Sequence, residues 1–87
     1  MVKLREFKAL SLAKLMSIAK QLREKYPDRR ERVDHIVDTL ATKLQQLRTF
    51  TLTDYLFTLY SVSKEFPEFE ELLPDEQTVK ELLGEKE

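Results

Sequence analysis

The chain has no cysteine and no tryptophan, and only one glycine and three prolines among its 87 residues. Without cysteine, disulfide staples, thiolate nucleophiles and sulfur-ligated metals are excluded. With Gly84 as its single glycine, the chain has little material for tight hairpins or phosphate-cradling loops, which favours helices. No apolar run approaches the roughly 18–20 residues of a membrane span, because Lys, Asp or Ser interrupts within a few positions. The start, Met1-Val2-Lys3-Leu4-Arg5-Glu6, lacks the apolar centre of a signal peptide, and nearby acids argue against a transit peptide. An intracellular, cytoplasmic protein with no membrane contact is the expectation.

Catalytic signals are equally sparse. The one histidine, His35, has Glu31 and Asp38 a turn to either side. One imidazole and two exposed acids on a single helix fall short of a metal site, so a polar face with i, i+4 pairing is expected. Ser11, Ser17, Ser61 and Ser63 have no histidine nearby. Glu70-Glu71 and Asp75-Glu76 are adjacent in sequence, so they diverge on a helix and cannot share a proton. The chain reads as no enzyme, with no cofactor.

What is present is 41% apolar and 36% charged. That suits one domain, residues 1-87, burying about 60–65% of its unfolded surface. The net charge of −1 conceals an asymmetry. Residues 1–48 carry twelve Lys/Arg against six Asp/Glu (+6), whereas residues 64–87 carry three against nine (−6). The halves therefore attract each other within one chain, favour head-to-tail self-association, or offer the first half to an acidic partner.

The apolar spacing is helical throughout. Leu4, Phe7 and Leu10 form one stripe, and Leu12, Leu15, Ala19, Leu22 and Tyr26 a second, out of phase with the first. The phase break falls at Ser11, so either a short helix ends there or one helix over 3–25 carries a broad apolar face. Pro27 ends it. Asp28 and Glu31 read as a capping box for a second helix with Val33, Ile36, Val37, Leu40, Leu44 and Leu47 inward. Thr51 is placed to cap a third, with Leu52, Tyr55, Leu56, Leu59, Val62 and Phe66 inward until Pro67. A last helix from Pro74 is expected to face Val79, Leu82 and Leu83 inward and to stop at Gly84. The predicted fold is all-α: a small four-helix bundle or two stacked helical-hairpin repeats.

The second possibility rests on an echo at a spacing of forty residues. Lys3-Leu4-x-x-Phe7-Lys8-x-Leu10-Ser11-Leu12 returns as Lys43-Leu44-x-x-Leu47-Arg48-x-Phe50-Thr51-Leu52, and Tyr26-Pro27 returns as Phe66-Pro67. This suggests a repeat over 3-42 and 43-84. Leu47-x-x-Phe50-Thr51-Leu52-x-Asp54-x-Leu56-x-x-x-Tyr60-x-x-x-Lys64 resembles the first helix of octotricopeptide- or heptatricopeptide-type repeats. Lys8-x-Leu10-Ser11-Leu12-x-x-Leu15-Met16-x-x-Ala19-Lys20 resembles the same helix in a preceding repeat. The resemblance implies paired helices and RNA contact from a concave face. Members of those families usually have many repeats and a targeting segment, and neither is expected from residues 1–87.

Two surfaces are candidates for binding. Phe57 and Tyr60 lie outside the main stripe of the third helix, either as aromatic anchors of a protein interface or as core residues covered by the last helix or Phe7. The basic turn of Lys20, Arg23, Lys25, Arg29, Arg30 and Arg32 is the candidate phosphate contact, although Glu24, Asp28 and Glu31 are interleaved. A helix-turn-helix reading of 52–83 fails because Asp75, Glu76 and Glu81 crowd its recognition helix. The first expectation is a non-enzymatic interaction module, an adaptor or complex subunit engaging a protein partner or itself. RNA binding through the basic turn is the alternative. An engineered or thermophile-derived scaffold would show the same strong caps and the same lack of Cys and Trp.

Overall fold

A computed structural model describes residues 3–85, and among them there are helices and turns but no strand. The α-helices are α1 (Leu4–Lys25), α2 (Arg30–Gln45), α3 (Leu52–Glu65) and α4 (Glu76–Leu83). Short 3-10 helices at Pro27–Arg29, Thr49–Thr51 and Pro67–Leu72 join them. No helix among the described residues is long and apolar enough to cross a membrane.

Contacts between side chains fix the directions. Lys8 Nζ donates to the Gln45 carbonyl at one end of the α1–α2 pair, and Arg23 to Asp34 at the other, so these helices are antiparallel. Lys43–Asp54 and Arg32–Glu65 bracket α2 and α3 in the same sense. The C-terminal segment then runs back along α1, from Glu68 beside Lys25 to Glu85, whose carboxylate accepts from the Leu4 N–H. The architecture is a small helical bundle in which α1 and α3 face each other diagonally through Phe7 and Tyr55, edge to face at 6.4 Å.

The core follows the helical period. Val33, Ile36, Val37, Leu40, Leu44 and Leu47 are all buried, as the 3, 4, 7 spacing requires. Leu52, Tyr55 and Leu59 complete it from α3, with Phe66 at the C-cap and Phe69, Leu72 and Leu82 from the C-terminal segment. Both aromatic–proline turns close alike. The Tyr26 N–H donates to the Leu22 carbonyl (2.8 Å), and the Phe66 N–H to the Val62 carbonyl (3.0 Å). Proline then opens a 3-10 turn, where its missing N–H is harmless. Beyond those turns the halves diverge. The first continues into the 16-residue α2, the second into a six-residue 3-10 helix and the eight-residue α4.

Several local expectations are corrected. Of the two readings at Ser11, the single helix with a broad apolar face is the one observed, with Ser11 buried inside a continuous α1. The phase shift there reflects two neighbours, since α1 packs against α2 on one flank and the C-terminal segment on the other. Leu10 sits at the rim of the groove between α1 and the C-terminal segment and is 62% exposed. The Asp28–Glu31 capping box does not form. Pro27 draws Asp28 into the 3-10 turn, leaving Arg29 as an N-cap with no side-chain hydrogen bond. The Thr51 hydroxyl turns back instead of capping α3, accepting from the Arg48 N–H and donating to the Arg48 carbonyl. The last helix begins after Pro74, at Glu76, because the Asp75 carboxylate accepts the Thr78 N–H at 2.8 Å. Leu83 points outward, with Leu82 taking the buried position.

Candidate docking face and basic turn

The outward side of α3 follows from its inward side. With Leu52, Tyr55 and Leu59 buried, the 100° step per residue turns Thr53, Phe57, Tyr60, Ser61 and Lys64 away from the bundle. Phe57 is 70% exposed and Tyr60 54%. Phe50, in the turn that opens α3, is 83% exposed. Single exposed apolar residues are ordinary, but two aromatics one turn apart on the same face are a different matter. Full burial of such a side chain is worth about 1.5–3 kcal/mol, which this chain forgoes twice within a single turn. The outer face of α2 provides the contrast: Arg32, His35, Thr42 and Gln46 are exposed there, with no apolar side chain among them. The Lys64 ammonium lies 4.7 Å over the Tyr60 ring, a cation–π contact that orients the phenol along the helix.

The basic turn is brought together as the sequence suggested, but its charges already have partners. Arg32 grips Glu65 with two nitrogens (Nε at 2.9 Å and Nη2 at 3.0 Å), and Arg29 reaches the same carboxylate at 2.8 Å. Arg29 also stacks 4.5 Å over the Phe66 ring. Lys25 pairs with Glu68 at 2.9 Å and lies over Tyr26. Arg23 bonds Asp34 at 2.7 Å, with Arg30 at 3.9 Å from the other oxygen. Lys20 stands exposed beside them. The sequence's charge asymmetry thus meets itself across the bundle, as Glu65 and Glu68 of the acidic half cover the basic half.

Ionisation follows these pairings. The Arg32 hydrogen bond holds the Glu65 carboxyl below its ordinary value, against a partial desolvation that opposes it. Lys25 does the same for Glu68. In return Glu68 raises Lys25, and Glu65 raises Arg32.

Neither surface brings together a catalytic constellation. Among the described residues, no three His, Asp or Glu side chains gather as metal ligands do. His35 lies on the exposed face of α2. A groove of about 380 Å³ between α1 and the C-terminal segment is lined by Phe7, Leu10, Ser11, Leu72, Leu73 and Asp75. Ser11 leads from it towards the buried Tyr55 hydroxyl, whose ionisation burial pushes up to about 12. Sequence reasoning missed this hydroxyl pair, because the pairing of α1 with α3 leaves no local signal. In comparisons with known proteins, the chain matches no family model, no curated protein and no solved structure.

Proposed function

We propose that this chain is a non-enzymatic helical docking module, an adaptor or complex subunit that engages a protein partner through the outward face of α3. The exposure of Phe57 and Tyr60 together carries the reading, on a helix whose opposite side already supplies Leu52, Tyr55 and Leu59 to the core. Aromatic anchors of this kind dominate interface energetics, each worth about 2 kcal/mol or more when they enter a partner's pocket. A phosphate at the basic turn would instead have to displace carboxylates held at 2.7–2.9 Å by Arg23, Lys25, Arg29 and Arg32. Exchange of one charge-assisted bond for another gains little.

The test is affinity capture with the wild-type chain beside Phe57→Glu and Tyr60→Glu. A protein retained by the wild type and lost by both variants, with unchanged circular dichroism, is the expected result. Equal retention by all three contradicts the assignment.

A further inference from the structure

The outward face of α3 is complementary to itself, and we infer that its partner is a second copy of this chain, bound antiparallel, α3 against α3. The inference rests on the docking reading above and deepens it. The face is bounded by one acid and one base: Asp54, with its side chain 65% exposed, near the N-terminal end, and exposed Lys64 near the C-terminal end. At 1.5 Å per residue they are about 15 Å apart along the axis, with Phe57 and Tyr60 between them. Asp54 and Lys64 lie equally far on either side of residue 59, and Phe57 and Tyr60 are centred within half a residue of the same level. A two-fold axis there brings Phe57 onto Tyr60 of the other copy and Lys64 onto its Asp54, each contact occurring twice. This is the isologous condition, in which i meets j and j meets i.

The surroundings agree. Asp54 already pairs with Lys43 at 2.6 Å through one oxygen, Oδ2, and keeps Oδ1 available for a second cation. The small Thr53 and Ser61 flank Phe57 and allow the helices to approach closely. The neighbouring outer face of α2 is polar and adds no apolar area. The interface is therefore small, and association is expected to be weak and concentration-dependent. It is also expected to weaken as salt screens the paired charges.

Sedimentation equilibrium of the full chain from about 10 µM to about 1 mM, where an interface of this size associates, is the test. Wild type is expected to pass from monomer to dimer. Asp54→Lys and Lys64→Asp each place like charges together twice, so each alone should dimerise about tenfold more weakly. A 1:1 mixture of the two sets Lys against Asp at both ends and should recover dimer. Circular dichroism of each variant establishes that it is folded. Wild type that remains monomeric to the highest concentration overturns self-pairing and leaves α3 as a docking face for a different protein. A wild-type dimer unaffected by Phe57→Glu overturns self-pairing through α3, and the docking reading then stands or falls on the capture experiment above. A dimer lost in Phe57→Glu but not recovered by the mixture overturns the antiparallel register.

Discussion

Tyr55 offers the sharpest quantitative prediction, because its ring and its hydroxyl pull in opposite directions. The residue is 0% exposed and its ring packs edge-on against Phe7, joining the first turns of α1 and α3. Its hydroxyl, however, has no hydrogen-bond partner among the described residues. Ser11 lies close enough to ease the rise in its pKa, but no bond of ordinary geometry closes between them. A buried donor left unpaired is unfavourable by about 1–3 kcal/mol, whereas the ring contact survives in phenylalanine. Tyr55→Phe should therefore stabilise the chain by about 1 kcal/mol, raising Tm by about 4–8 °C. Tyr55→Ala should lose about 3–5 kcal/mol, since it removes the ring and leaves a cavity.

Alkaline pH provides an independent check. Burial raises the folded-state pKa from 10.0 to about 12, so this contribution is complete below pH 10 and is lost as pH rises towards 12. The wild type should lose about 2–3 kcal/mol over that interval that Tyr55→Phe retains. Urea denaturation of both proteins at pH 7 and in the alkaline range measures each effect. A Tyr55→Phe chain less stable than wild type by about 1 kcal/mol at pH 7 would mean that the hydroxyl is satisfied, and would refute the reasoning.

Three further outcomes follow from the same structure. Leu47→Ala should lose about 2–5 kcal/mol, whereas Phe50→Ala, three residues later and 83% exposed, should remain within about 0.5 kcal/mol; urea midpoints compare them. Because Glu65 and Glu68 titrate below the ordinary carboxylate range, their contribution is complete above it and is lost as pH falls through the lowered folded values. Glu65→Gln with Glu68→Gln should flatten the acid limb of a Tm–pH curve, and an unaltered limb would remove these pairs from the account. The same double variant frees Lys25, Arg29 and Arg32, so fluorescence anisotropy with mixed-sequence single-stranded RNA at low salt should show weak binding by wild type and tighter binding by the variant. Tight, salt-sensitive binding by wild type would restore the basic turn as a phosphate site.

What the sequence made legible was periodic or punctuating. The stripe from Val33 to Leu47 and the stops at Pro27 and Pro67 depend on spacing within one element, and they appear where expected. Features that depend on two elements were not legible. The shift at Ser11 reads as a break in one dimension, but it arises because α1 has neighbours on two flanks. Asp28 carries the chemistry of a cap, but Pro27 fixes a 3-10 turn first. Leu10 and Leu83 continue their stripes and are nonetheless exposed, Leu10 at the rim of an open groove against the C-terminal segment and Leu83 beside Leu82, which takes the buried position. Of the candidate sites, the width of the α3 stripe singled out Phe57 and Tyr60 but left core and interface equally open, and only the packing turns them outward. The neutralising of the basic turn was not legible, since Glu65 and Glu68 lie more than thirty residues from the cations they hold.

The central claim is that α3 divides its work, holding the bundle with one side and docking with the other. Thermal unfolding of the Phe57→Glu, Tyr60→Glu double variant in dilute solution tests it most directly. If these side chains are outside the core, each change stays within about 0.5 kcal/mol, and Tm should remain within about 4–8 °C of wild type with the same helical circular dichroism. A variant that is unfolded, or that melts tens of degrees lower, would place the two aromatics in the core and contradict the account.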